Sequence, residues 1–156
     1  NPVPEIFTDS SGRQRAASEY YNYKGDQRKN LLSHWIWRNY ASPVWMDIRS
    51  GRLLPYEESK ENEEEKHVCP LQLDVIERCL TLWSNPGDVV LTPFMGVGSE
   101  VCGALANGRK AIGCELKPSY YRQALKNIAS VIENGLGGNV EESMFDAAMD
   151  DAEEVA

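Results

Sequence analysis

One stretch of this 156-residue chain leaves little freedom in how it can fold. Val89-Val90-Leu91 is a short apolar run with the β-branched character of a buried strand. Gly96-Val97-Gly98 follows it. Ser99 to Asn107 then reads as a helix closed by Gly108, and Ala111-Ile112-Gly113-Cys114, within Lys110 to Leu116, as a second strand. Strand, glycine loop, helix and strand in that order specify a βαβ unit, whose two strands are parallel and joined by a right-handed crossover. Upstream, Leu73, Ile76, Leu80 and Trp83 fall at helical spacing, with Pro70 placed at the helix start and Asn85-Pro86-Gly87-Asp88 as its stop. Downstream, Pro118 and Ser119 open a further helix with Tyr121, Ala124, Leu125, Ile128, Val131 and Ile132 along its inner side, ended by Gly135, Gly137 and Gly138.

A glycine turn between a strand and a helix lets a ligand come close to the backbone, because a side chain there would collide with it. An acidic residue at the end of the next strand can accept hydrogen bonds from both hydroxyls of a ribose. Gly96, Gly98 and Glu115 supply those parts in that order. The signature specifies an adenosine-containing cofactor and no more. A nicotinamide dinucleotide site wants a third glycine where Val101 stands, and a nucleotide-hydrolysing P-loop wants a lysine that Gly98-Ser99-Glu100 lacks. S-adenosylmethionine carries no phosphate, needs neither feature, and fits best.

Thr92-Pro93-Phe94-Met95-Gly96-Val97-Gly98 resembles the Asp-Pro-Phe-x-Gly-x-Gly cofactor loop of adenine-N6 and cytosine-N4 DNA methyltransferases. Gly108 to Leu116 resembles their next strand, Tyr120-Tyr121-Arg122-Gln123-Ala124 the helix after it, and Lys66 to Leu73 the segment they place before the loop. The resemblance covers roughly residues 45–130 and is nearest to phage-encoded methylases. It implies a partial Rossmann-like methyltransferase fold of the α/β class, three-layered around parallel strands. It further implies that S-adenosylmethionine is held by Thr92, Pro93, Phe94, Gly96, Gly98 and Glu115, with His67, Cys69 and Pro70 along its methionine side. No metal is implied.

Two departures from the family pattern stand out. The loop aspartate is Thr92 here, and Glu100 brings a carboxylate into the first turn of the following helix, where the helix dipole favours it. The amino-methylating motif, Asp/Ser/Asn-Pro-Pro-aromatic, would accept hydrogen bonds from the target amino group and stack on a flipped base. Its only counterpart is Ser42-Pro43-Val44-Trp45, which lacks the second proline and lies close to Cys69-Pro70. The catalytic residues therefore stay unassigned, with Ser42, Pro43 and Trp45 as the candidates in this chain.

The net charge of −8 argues against a surface that grips nucleic acid all round. The charge is concentrated in Glu57, Glu58, Glu61, Glu63, Glu64 and Glu65, and in a run from Glu141 to Glu154 whose charged residues are all acidic. The four cysteines, Cys69, Cys79, Cys102 and Cys114, have neither zinc spacing nor a secretory context, and Cys79, Cys102 and Cys114 are expected to be buried. No apolar run spans a bilayer, so the expected setting is the cytoplasm of a bacterium or phage-infected cell.

Three regions follow. Residues 1–66 form an irregular, aromatic segment with an acidic linker, its Leu31, Leu32, Trp35, Ile36, Trp37, Tyr40, Val44 and Trp45 read as a short helix or turn packed on the core. Residues 67–135 form the cofactor-binding βαβ region, and 136–156 an acidic, flexible tail. The expected function is the S-adenosylmethionine-binding part of a DNA methyltransferase whose catalytic motif is incomplete in this chain, with DNA reached through the complete enzyme. The alternative is a non-catalytic binding protein on the same scaffold, a partner subunit or a sequestering, anti-restriction module. Only two strands are legible, and the edge of so small a sheet would invite a second copy or a catalytic partner chain.

Overall fold

The computed structural model describes residues 3–59 and 69–136; His67, the acidic linker from residue 60 on and the acidic tail beyond Leu136 lie outside them. The order of elements is β1 (Ile6–Thr8), β2 (Gln14–Ala16), α1 (Leu31–Tyr40), α2 (Leu73–Trp83), β3 (Val89–Thr92), α3 (Ser99–Ala106), β4 (Lys110–Gly113) and α4 (Pro118–Asn134), with short 3-10 turns between several of them.

β3 and β4 pair in parallel, Val89 opposite Lys110 through Thr92 opposite Gly113, with α3 as the crossover. Alternation along the strands sorts their side chains. Val90 and Ala111 turn to the core formed by Leu54, Leu73, Ile76, Leu80, Cys102, Ala104 and Val131. Val89, Leu91 and Ile112 lie on the opposite face and are 58%, 67% and 57% exposed. Helices therefore cover one face of the pair, and among the described residues no third layer covers the other.

α2 and α3 run side by side in the same direction. Gly103 is the point of closest approach: a Cβ there would lie 2.6 Å from Ile76 Cγ2. At their C-terminal ends Arg109 donates to the carbonyls of Leu80 (3.2 Å) and Ser84 (2.9 Å) on α2 and of Asn107 (2.5 Å) after α3. One guanidinium thus ties together carbonyls at the C-terminal ends of two helices.

The segment read from sequence as irregular contains an antiparallel hairpin, β1 with β2. Asp9 organises its turn, accepting from the Ser11 and Arg13 amides and from Arg15 Nε (2.9 Å). Phe7 of β1 packs against Tyr20 and Trp35, with ring centroids 5.6 and 6.3 Å apart, and Trp35 against Tyr40. This aromatic cluster joins Val3, Ala17 and Leu32 in a second, smaller core. The reading of the aromatic patch as a packed helix is met by α1, which Asn30 caps by accepting from the Ser33 amide.

Several side chains sit otherwise than periodicity predicts. α2 starts at Leu73 with Gln72 as its cap, so Pro70 lies before the helix rather than at its start. Trp83 is 72% exposed, whereas Asp74, Glu77 and Arg78 are buried. The reason is a second ion-paired surface on α2. Asp74 binds Arg49 and Arg52 at 2.7 Å each, Arg52 also binds Glu77, and Arg78 pairs with Asp47 while lying over the Tyr40 and Trp45 rings. On α4 the inner side is Gln123, Ala124, Asn127 and Val131, while Tyr121, Leu125 and Ile132 are exposed. Of the cysteines expected inside, only Cys102 is buried; Cys79 falls on the outer side of α2, and Cys114 continues β4 beyond the core.

Two predictions follow from this packing. Gly103→Ala gains helix propensity, but Ile76 is stiff at χ1 and cannot swing away. The expected net result is a loss of about 1 kcal/mol, read from the urea midpoint. Burial alone would raise the Asp74 pKa, but Arg49 and Arg52 outweigh it and hold the carboxyl well below its usual range. Because the folded value lies below the unfolded one, its stabilisation is complete above the ordinary carboxylate range and is lost as pH falls toward the depressed value. Arg52→Met should cost about 3 kcal/mol at neutral pH by leaving buried carboxylates underpaired, and should flatten the acid limb of the stability profile.

Candidate functional site

The chain leaves β3 at the buried Thr92 and must reverse within a few residues to start α3. Parallel bonding continues past the strands: Cys114 donates to the Thr92 carbonyl (3.0 Å) and Met95 to the Cys114 carbonyl (2.8 Å). Gly96 and Gly98 then take φ of 56° and 94°, and the Gly98 amide donates to Met95 O at 2.9 Å. Both angles belong to the left-handed region, where L side chains are strained. Gly98 is additionally packed, since a Cβ on it would lie 3.2 Å from Ala124 Cβ of α4.

Glu115, two residues beyond β4, turns back onto this loop. One carboxylate oxygen accepts from the Gly96 amide and the other from the Lys117 amide, each at 2.8 Å. Glu115 as a whole is only half-buried. A carboxylate fixed this way by backbone donors can accept from two vicinal hydroxyls without reorganising. Around it, Phe94 is 85% and Leu116 fully exposed, and Pro93 is exposed as well. These side chains line an open shelf at the C-terminal end of the parallel pair, the usual ligand position in open α/β sheets.

The structure thus gathers Thr92, Pro93, Phe94, Gly96, Gly98 and Glu115 into one region. Cys69 is exposed and Pro70 buried just ahead of α2. Because α2 and α3 are parallel, that end of α2 is the end at which the glycine loop enters α3. The Ser42 run is placed differently. Ser42 Oγ donates to Val44 O (2.9 Å) and accepts from its amide, Trp45 Nε1 donates to Tyr40 O (2.9 Å), and the Trp45 ring covers Arg78. These polar groups are engaged within the α1–α2 region, and none bonds to the loop.

Sequence reasoning missed the residue that holds the loop from behind. Asn127 Nδ2 donates to Val97 O (2.9 Å) and Pro55 O (3.0 Å), and its oxygen accepts from Gln123 Nε2 (3.0 Å). The available signal was Gln123 and Asn127 four residues apart on the face that also carries Ala124, a polar pair beside a residue small enough to admit a glycine loop. At the start of α3, Ser99 Oγ is buried with no hydrogen-bond partner among the described residues. Burial pushes the neighbouring Glu100 carboxyl up, and pushes the Cys102 thiol up to about 12. Cys102 is therefore a packing group, not a nucleophile. Among the described residues, no cluster could hold a metal and no helix is long and apolar enough to cross a membrane.

The chain is 30% identical over 118 residues to DNA adenine methyltransferase YhdJ of Escherichia coli (strain K12), covering 76% of this chain and 35% of that protein. It is 37% identical over 114 residues to the type II methyltransferase M.BamHI of Bacillus amyloliquefaciens, covering 72% and 24%. Among solved structures it is similar to TTHA0409 of Thermus thermophilus complexed with S-adenosyl-L-methionine, at 27% identity, 72% and 40% coverage and a TM-score of 0.48. The chain spans about a third or less of the length of these two sequence relatives. The DNA methylase family model for N6 and N4 enzymes matches residues 7–126, most of the chain with the glycine loop and Glu115 inside it, and the chain belongs to that family.

Proposed function

We propose that this chain binds S-adenosylmethionine on the shelf formed by Thr92, Pro93, Phe94, Gly96, Gly98 and Glu115, as the cofactor-binding part of a DNA adenine-N6 or cytosine-N4 methyltransferase. The observation that carries the reading is the Glu115 carboxylate just beyond the end of β4, held against the glycine loop by the Gly96 and Lys117 amides in a residue that is only half-buried. The absence of side chains at Gly96 and Gly98 leaves the backbone approachable, and Phe94 and Leu116 offer apolar surface for an adenine ring. Cys69 and Pro70, with His67 before them, would border the methionine side. When bound, the cofactor supplies an electrophilic methyl group. This chain's part is to orient it: Glu115 fixes the ribose, and Asn127 holds the loop from below.

Transfer to a base needs an acceptor for the amino protons beside that methyl group. With Ser42 and Trp45 engaged locally, that group would come from a segment beyond this one, in a longer enzyme or a catalytic partner chain. The bare Val89, Leu91 and Ile112 face supports the same view, since an apolar sheet face wants a covering layer. The local engagement of Ser42 and Trp45 also favours a second reading, a non-catalytic partner or sequestering protein that retains cofactor binding.

Calorimetric titration of S-adenosylmethionine and S-adenosylhomocysteine tests the proposal. Saturable binding that weakens by at least tenfold in Glu115→Ala is expected, since hydrogen bonds to a charged group contribute about 1.5–3 kcal/mol. No heat with millimolar ligand would overturn it. A DNA methylation assay with and without a complementing catalytic chain then separates the two readings.

A further inference from the structure

S-adenosylmethionine is a cation overall: its ammonium and sulfonium outweigh its single carboxylate. The shelf is poorly matched to such a ligand if only its loop is considered. Thr92 ends β3 with a hydroxyl, and the N-terminus of α3 presents partial positive charge. Among the described residues Glu115 is the carboxylate on the β4 side, and its two oxygens are already shared with backbone amides. A second carboxylate stands on the other side of the loop.

Glu100 is the second residue of α3. By helical spacing it shares a face with Gly103 and Ala104, and Gly103 is the contact point with Ile76 of α2. Arg109 bridges the C-terminal ends of both helices, so they run parallel, and Glu100 lies one turn beyond Gly103 toward the start of α2. That is the end entered through Cys69 and Pro70, away from the ribose side marked by Glu115. The Glu100 carboxylate is half-buried and accepts only from its own backbone amide, no ion pair to it is seen among the described residues, and burial raises its pKa. A desolvated carboxylate without a cation is costly and is maintained where a cation is to arrive. Beside it, Ser99 is only 2% exposed, and its Oγ has no partner among the described residues.

We propose that Glu100 receives the α-ammonium of the cofactor's amino-acid end, so that two carboxylates divide the ligand: Glu115 takes the ribose and Glu100 the ammonium. This rests on the cofactor reading above. It makes Glu100 a specificity residue, distinguishing ligands with the amino-acid arm from other adenosines that the glycine loop would admit.

The test uses two ligands that share the adenosine thioether, S-adenosylhomocysteine with the amino-acid arm and 5′-methylthioadenosine without it. Both are titrated into the whole chain and its Glu100→Gln variant. The expected result is a loss of about tenfold or more in affinity for S-adenosylhomocysteine, with 5′-methylthioadenosine unchanged. The unchanged ligand also reports that the shelf is still folded. Equal affinity of both proteins for S-adenosylhomocysteine would overturn the proposal, and so would parallel loss of both ligands, which would make Glu100 structural. Failure of both ligands to bind the unaltered chain would instead sink the cofactor reading, and this inference with it.

Discussion

Two parallel strands cannot be joined by a tight turn, and this constraint organises the centre of the molecule. After Thr92 the chain must leave the sheet, travel back along α3, and re-enter as β4 beside the strand it left. The reversal happens in six residues, and only left-handed angles at Gly96 and Gly98 make it that short. Everything touching the loop follows from its tightness. α4 can approach because Gly98 has no side chain, Asn127 can reach the Val97 carbonyl because α4 is close, and Glu115 can bridge to Gly96 because the strand ends stay in register.

A second principle governs the attachment of the N-terminal region. It is held to α2 by charge pairs as well as by apolar contact. Residues 47–52 lay Asp47, Arg49 and Arg52 against Asp74, Glu77 and Arg78, and every carboxylate in this set meets a guanidinium. Such pairing gains little net stability over apolar contact but fixes register, because a shift of one residue would leave a charge buried alone. The aromatic core of Phe7, Trp35 and Tyr40 packs behind it.

The parts of the fold legible in the sequence were those with strong periodicity. The two parallel strands and their crossover helix could be read because apolar runs, paired glycines and terminal glycines agree on one answer. The buried face of α4 could not, because Gln123 and Asn127 are inside for their hydrogen bonds, and periodicity counts them as outside. The ion-paired face of α2 misled for the same reason: a charged residue is read as solvated until its partner, some 25 residues away, is seen. The loop residues of the candidate site were legible as motif. Their geometry was not, and neither was the local engagement of Ser42 and Trp45, which depends on Tyr40 and Arg78 lying nearby.

The uncovered side of the strand pair also has a colloidal consequence. Val89, Leu91 and Ile112 present oil to water on a sheet of two strands, and among the described residues neither strand has a neighbour on its outer edge. Two molecules meeting there could both bury that oil and share backbone hydrogen bonds. What opposes the encounter at a distance is the net charge of −8 carried by every copy. That repulsion reaches about 10 Å at 0.1 M salt and shrinks as ions are added. For this chain in isolation, ionic strength therefore sets how long it stays dispersed, and its acidity acts as the solvent-side substitute for a missing layer of structure.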